Sequence, residues 1–491
     1  MSDSSWTRTS STTGRSPATA PGLLHSLSPL LLEWLPRQRW FAGKGRPITG
    51  FGLVSATELL PVDGRLGTPG LLHLLLDVEQ TGRRADCYQL LLGARTLLPA
   101  SLAPALVGQA VGGPLDGLTI YEGLSDPRLT ALLMERLRAP GRTGLLRFIT
   151  ESSTAVPAGL PPRLSTAEQS NTSVVYGDQY ILKVFRRVSP GANPDLELSL
   201  ALARAGSRRV AAPAAWFEAA ELPGPADAPA GTAASGTVTE PATLGVLQRY
   251  LPDSADGWEL ALRAIDDGTD FTADARALGA ATAEIHDALA RALPTTLLDR
   301  RRIQSVASSM AQRLDTAAAE VPELRPYRTR LRAAFHDLAE LGATGVRVAA
   351  QRIHGDLHLG QALRTAAQGW VLIDFEGEPS RPLSDRRLPA PPVQDVAGML
   401  RSFDYAARHR DPAAPAAGGW AERHRDAFCA GYARMSGTDP RDQPVLIRAY
   451  ETDKAVYEVL YEARHRPAWL PIPMSAIDRL ASNPPPRRIT P

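Results

Sequence analysis

The sequence predicts an α+β chain whose first half is rich in strands and whose second half is a run of helices. Three observations predict it. Short strand-like blocks recur between Gly50 and Tyr250, and two of them form a hairpin pattern. From Trp258 onward, apolar residues recur at the three-to-four spacing of amphipathic helices. Among those helices one segment, Gln351 to Glu378, breaks the pattern with polar turns around a short apolar run.

The first 20 residues are dense in Ser and Thr and hold no apolar core of signal-peptide length, so they read as a disordered tail. Leu23 to Leu35 is amphipathic. Arg37-Gln-Arg-Trp-Phe-Ala-Gly-Lys-Gly45 follows, in which Trp40 and Phe41 read as packing residues. Strand-like runs at Gly50–Leu59, Gly70–Val78 and Cys87–Leu92 complete a small α+β unit.

A second unit begins near Pro127. Ser173–Tyr176 and Gln179–Phe185 are joined by Gly177-Asp178, a favoured tight-turn pair. Asn193-Pro194 caps a helix from Asp195 to Ala205, stopped by Gly206. Residues 219–241, mostly Ala, Pro, Gly and Thr, read as a surface insertion or flexible loop, and Gly245–Tyr250 as a strand. Helical patterns then cover 258–265, 273–292, 301–318, 322–341, 393–408, 418–436 and 443–464. The implied division is a tail over 1–20, a first subdomain over 21–126, an intermediate β-rich lobe over 127–253 and a helical lobe over 254–491.

Composition excludes several classes. The 54 basic and 52 acidic residues are interspersed, with a net charge of +2, so no basic stripe argues for nucleic acid. No stretch approaches 18 uninterrupted apolar residues, which argues against a membrane span. Cys87 and Cys429 match no zinc or redox spacing and suit a reducing cytoplasm. Lysine is scarce on this arginine-rich chain: Lys44, Lys183 and Lys454 are the only three.

The chemistry is written in Gln351–Glu378, QRIHGDLHLGQALRTAAQGWVLIDFEGE. Asp356 lies in a polar His-Gly-Asp loop with an amide, Gln361, five positions on. The catalytic loop of protein kinases has the same spacing between the Asp that takes the acceptor's proton and the Asn that reaches a metal. Trp370-Val-Leu-Ile373 then reads as a buried strand ending in Asp374-Phe375, where kinases place their metal-holding Asp-Phe-Gly. Asp374, aided by Gln361, is therefore the candidate Mg²⁺ site, and Asp356 the candidate base. The pattern predicts a bilobal protein-kinase-like fold with a β-rich ATP lobe and a helical C-lobe.

A nucleotide site needs a strand lysine on the phosphates and a helix acid to hold it. Lys183, in Tyr-Ile-Leu-Lys-Val-Phe, is the ATP lysine in this reading, because a lysine among alternating apolar residues is otherwise costly. Glu197 is its candidate partner, although first-turn acids also complement the helix dipole. There is no G-x-G-x-x-G, so Ser170, Asn171, Thr172 and Ser173 must cover the phosphates. The acceptor site is expected on the C-terminal helix pattern. Lys454, Tyr457, Glu458, Tyr461 and Arg464 recur there at spacings of three and four, with His358 within reach. The competing reading has the tyrosines packing and Glu458 with Arg464 on a solvated face.

HGDLHLGQ, IDFEGEP and DVAGMLRSFDYAA, with RWFAGKGR upstream and KAVYEVLYEARHRPAWLPIP downstream, resemble the actinobacterial maltokinases. These belong to the aminoglycoside-phosphotransferase-like branch of the kinase fold. The resemblance covers nearly the whole chain beyond the tail. It implies an N-terminal cap subdomain before the ATP lobe, a sugar site beside the C-terminal helix, and ATP-dependent transfer to the anomeric hydroxyl of maltose. The product, maltose 1-phosphate, feeds glycogen and α-glucan biosynthesis. Gln361 replaces the kinase Asn and Glu376 the kinase Gly, and the family shares both features. Two alternatives stand beside this: a kinase for another small sugar such as glucosamine, and an inactive nucleotide- or glucan-binding pseudokinase. Either a monomer or a homodimer is expected.

Overall fold

In the computed structural model, the residues described are 20–64, 67–152, 154–165, 170–223, 239–379, 381–410 and 417–482. The expected tail lies outside them, except for Ala20. They form two compact units, the first comprising residues up to Gly191 with 214–247, the second 192–213 with 248 onward.

The first unit opens with α1 (Ala20–Trp34), whose Leu23, Leu27 and Leu31 line one buried stripe. An antiparallel sheet follows: β1 (Ile48–Leu60), β2 (Gly70–Gln80), β3 (Arg83–Arg95), β4 (Leu106–Gln109) and β5 (Thr119–Glu122), in the order β1-β2-β3-β5-β4. The leucine run of β2 buries both faces. Leu72, Leu74 and Leu76 join the core with α1, whereas Leu71 and Leu75 join a second core with the β-rich lobe. Trp40 and Phe41 pack against Tyr88, as expected.

Asp126 caps α2 (Pro127–Arg138), with Pro127 at the first position. The second sheet comprises β6 (Gly141–Thr143), β7 (Leu146–Thr150), β8 (Pro162–Leu164), β9 (Asn171–Tyr176), β10 (Tyr180–Phe185), β12 (Pro213–Pro223) and β13 (Thr239–Arg249). Its order is β6-β7-β12-β13-β10-β9-β8. At the predicted hairpin, Gly177 and Asp178 both take left-handed φ, 52° and 51°, as a type I′ turn requires. Pairing starts at Tyr176–Tyr180, one residue later than expected.

The reading of 219–241 as a loop is corrected at both ends. β12 runs through 219–223 and β13 begins at Thr239, while 224–238 lie outside the described residues. Ala-rich strands have weak intrinsic preference, and buried Ala219 and Leu222 are held by packing.

Cap sheet and lobe sheet meet inside this unit. The two-residue strand β11 (Arg187–Val188) pairs with β3, and the Gln89 side chain donates to the carbonyls of Phe185 (2.7 Å) and Leu244 (2.8 Å). His73 Nε2 stands 2.8 Å from Gln89 Oε1, and burial pushes its pKa down to about 4, so it is neutral.

The second unit starts with α3 (Pro194–Arg204), capped by Asn193. Then come β14 (Ala255–Asp256), α4 (Gly257–Asp266), α5 (Thr272–Ala292), β15 (Thr296–Leu298), α6 (Arg300–Glu320), α7 (Arg328–Ala343), β16 (Val348–Ala350), β17 (Ala362–Thr365), β18 (Gly369–Leu372), α8 (Leu383–Arg386), α9 (Val393–Arg408), α10 (Ala417–Ser436), α11 (Pro444–His465) and α12 (Pro471–Ser482). The helix expected over 322–341 is broken, because Pro326 interrupts it and 322–327 tighten into a 3₁₀ turn. One core gathers α5, α9 and α10 around Trp370 and Phe375; a second gathers α6, α7, α11 and α12. Among the described residues no helix is long and apolar enough to cross a membrane.

Candidate active site

Two loops of the second unit hold the candidate base and the candidate metal site. The first, His354-Gly-Asp356, is pinned from beneath by α9. Asp395 accepts the backbone N–H groups of His354 and Gly355, each at 2.8 Å, and lies 3.0 Å from His286 Nε2, whose Nδ1 faces Tyr432 Oη at 2.9 Å. Gly355 takes a left-handed φ of 84°, and a Cβ there would stand 3.2 Å from Gly377 Cα on the second loop. The loops approach closely because both positions are glycine.

Asp356 Oδ1 meets Lys454 Nζ of α11 at 2.8 Å. Burial pushes the Asp356 carboxyl up, but Lys454, His358 and His354 outweigh it, so its pKa lies below the usual carboxylate range. Lys454 behaves reciprocally: burial lowers its pKa, and Asp356 and Glu378 more than reverse this. The Asp356 carboxylate is ionised and the Lys454 ammonium charged throughout neutral pH.

The second loop leaves β18 at Asp374, whose φ of 65° is left-handed, a strained conformation for a residue with a side chain. Gln361 Nε2 donates to Asp374 Oδ2 at 3.0 Å, joining the predicted pair. Phe375 N–H donates to Asp195 Oδ1 at 2.9 Å, while His354 Nε2 lies 2.9 Å from Ile373 O. Carboxylate oxygens of Asp195, Asp374 and Glu376 lie within 4.8 Å of one another. Three hard oxygen donors fit a magnesium ion by donor chemistry. Asp195 and Glu376 enlarge the predicted set, and Gln361 points its N–H₂, not its carbonyl, at the shared aspartate.

Glu197, the predicted helix acid, is engaged within the second unit. Arg352 Nη1 holds both its oxygens, at 2.7 and 2.8 Å. The α3 acid that reaches the Asp374 loop is Asp195, two residues earlier and buried. Both acids stand in the same helical turn, and their spacing alone gives no preference between them.

In the first unit, Lys183 stands buried on β10 opposite Ser173, with Nζ 5.5 Å from the Phe185 ring centre. Asn171 and Thr172 pair with Phe185 and Val184, so the predicted polar cluster is the start of β9. Asn171 Nδ2 reaches Ser170 Oγ at 3.4 Å, and Thr172 Oγ1 accepts from Arg186 Nε at 2.8 Å.

A pocket in the second unit opens beside Asp356 and is lined by Lys454, Tyr457, Glu378, Arg381, Arg313 and Asp453, among others. Of the expected acceptor residues, it gathers Lys454 and Tyr457. Burial raises the Tyr457 hydroxyl pKa to about 12. His358 caps the turn after Asp356 by accepting Gly360 N–H at 3.1 Å; burial lowers its pKa, opposed by Asp356. Glu458 is placed differently from the expectation, receiving Arg401 Nη2 at 2.6 Å, and Arg401 is fully buried. Arg464 pairs with Glu320 at 2.6 Å on the exposed face. Tyr461 is 40% exposed, and its ring lies against His465, Arg466 and Tyr457. The sequence reading missed Arg313, Glu378, Arg381 and Asp453. Asp453 carried a signal, standing beside Lys454 and four residues before Tyr457.

A carboxylate on a glycine-bent loop beside a strained aspartate at a cluster of oxygen donors, on a kinase-like fold, defines a phosphotransferase. Residues 160–438 match the phosphotransferase enzyme family, and 34–126 match the maltokinase N-terminal cap domain. The chain belongs to that phosphotransferase family and carries the maltokinase cap. It is 30% identical to a glucosamine kinase of Mycolicibacterium smegmatis over 79% of this chain and 96% of that one. Identity to a glucosamine kinase of Streptacidiphilus jiangxiensis is 29%, over 70% and 78%. A glucosamine kinase solved with glucosamine, ADP and inorganic phosphate superposes with a TM-score of 0.61 at 23% identity, covering 92% of this chain and 99% of that one. At that identity the likeness speaks for the fold.

Proposed function

We propose that the protein is an ATP-dependent sugar kinase that phosphorylates the anomeric hydroxyl of maltose, giving maltose 1-phosphate for α-glucan synthesis. The observation that carries the kinase reading is Asp356, ionised and held by Lys454 at the mouth of a polar pocket. The maltokinase cap over 34–126 supports the choice of maltose.

With Oδ1 engaged by Lys454, Asp356 orients the acceptor hydroxyl and takes its proton on Oδ2. The acceptor oxygen bonds to the γ-phosphorus, the bond to the bridging oxygen breaks, and ADP leaves. Because its pKa is low, Asp356 is a weak base, and its work is mainly alignment, as suits a loose transition state. Asp374, with Asp195 and Glu376 beside it, would hold a magnesium ion, which shields the phosphate charge. Lys183 is proposed to meet the α- and β-phosphates and Ser170–Ser173 to cover them. A cytoplasmic setting suits these substrates.

The second reading, a glucosamine kinase, is favoured by the names of the curated relatives. One experiment separates them: Mg-ATP with a panel of sugars, followed by phosphorus NMR. The anomeric phosphate doublet on maltose is the expected result; a 6-phosphate on glucosamine favours the second reading, and no transfer to any sugar overturns both.

A further inference from the structure

The pocket beside Asp356 contains more acid than a neutral sugar needs, and two of the further carboxylates at its wall, Glu378 and Asp453, are each met by a guanidinium. Asp453, next to Lys454, is only 10% exposed at its side chain and receives a fork from Arg313: Nε to Oδ1 at 2.9 Å and Nη2 to Oδ2 at 2.7 Å. Arg381 Nη2 stands 3.9 Å from the same Oδ2 and pairs with Glu378 at 3.0 Å. Arg313 comes from α6, an element that no sequence motif ties to the Asp356 loop.

We infer that Arg313, by clamping Asp453, makes this pocket select a neutral sugar over an amino sugar. An ammonium group carries a full charge and only donors, so it needs a carboxylate not already neutralised. Here it would meet Asp453 with both oxygens engaged by Arg313, in a wall that also carries Lys454 and Arg381. A hydroxyl both donates and accepts, so it is satisfied by the same wall. Glucosamine and maltose differ in this respect, and the inference rests on the sugar-kinase reading above. Removing Arg313 leaves Asp453 partly buried with only the longer contact to Arg381, which Glu378 shares, and a cationic ligand then relieves the remaining charge. Arg313 is 42% exposed, so solvent screens part of its charge and the expected change is about tenfold rather than thousands.

The test compares wild type, Arg313→Met, Arg313→Lys and the double variant Arg313→Met, Asp453→Asn. For each, kcat/KM is measured for maltose and glucosamine with Mg-ATP, together with the Ki of glucosamine against maltose. The ratio of the two sugars is independent of the folded fraction, so partial instability does not blur it. Wild type is expected to favour maltose at least tenfold. Arg313→Met should move the ratio about tenfold toward glucosamine, Arg313→Lys should stay near wild type, and the double variant should cancel the shift. A ratio unmoved within twofold in Arg313→Met, with maltose activity intact, removes the role of Arg313 alone. A wild type that takes glucosamine as readily as maltose overturns it without any variant, and a wild type that phosphorylates neither removes the sugar-kinase reading as well.

Discussion

Lys454 Nζ holds Asp356 Oδ1 at 2.8 Å, so a residue chosen from the sequence as a candidate sugar contact is the counter-ion of the proposed base. Burial alone pushes the Asp356 carboxyl up, and the ammonium is the largest influence holding it down. In Lys454→Met burial has less opposition and the pKa of Asp356 rises. Activity needs the ionised form, so the acid limb of the pH–rate profile should move to higher pH, and kcat at neutral pH should fall about 10²-fold. In wild type the depressed pKa also stabilises the fold above the unfolded carboxylate pKa, and that contribution disappears as pH falls through the folded value. An unmoved acid limb in Lys454→Met would show that another group sets the charge of the base.

Asp356→Asn keeps the shape of the loop and removes the proton acceptor. A fall in kcat of roughly 10²–10⁴-fold is expected, with ATP binding preserved. Calorimetric titration of Mg-ATP alongside kinetics checks both halves; a variant with more than a tenth of the wild-type rate takes Asp356 out of this role.

The oxygen donors at Asp374 lead to a graded expectation. Asp374→Ala should abolish turnover and weaken Mg-ATP binding together. Asp195→Asn keeps an oxygen to receive Phe375 N–H but loses its charge, so turnover should survive with a several-fold higher magnesium requirement. Full activity in excess EDTA would remove the metal from both accounts.

How far the sequence was legible follows the range of the interactions. The Asp356 and Asp374 loops, the Gly177-Asp178 hairpin and most helices were readable because their signals are local: a turn pair, a period, a motif spacing. The 3₁₀ break at Pro326 was local too, and the reading overlooked it. Helix α12 went unread; Pro471 and Pro473 open it. Pairing partners were not readable. Glu197 and Asp195 look equivalent in sequence, and nothing local shows that Arg352, more than a hundred residues away, pairs with Glu197. Glu458 likewise is claimed by Arg401 of α9, and Asp453 by Arg313 of α6. These are long-range ion pairs on an arginine-rich chain, where composition offers many partners and local pattern chooses none.

Trp40, read from the sequence as a packing residue, also lies under Arg186, whose guanidinium carbon is 4.8 Å from a Trp40 ring centre. Arg186 is buried, follows the Lys183 strand, pairs with Glu122 at 3.1 Å, and donates Nε–H to Thr172 Oγ1 at 2.8 Å. The cap thus grips the strand pair proposed to handle the phosphates. Trp40→Ala removes one face of that grip, worth about 0.5–2 kcal/mol for a cation–π contact, while Glu122 keeps the charge compensated. The expected result is a several-fold rise in the KM for ATP with the sugar KM unchanged and the fold retained by circular dichroism. Trp40→Phe, which keeps an aromatic face, should restore most of the ATP affinity. Equal changes in both KM values, or no rescue by phenylalanine, would mean that Trp40 only fills the cap core and that the grip on Thr172 does not reach the nucleotide.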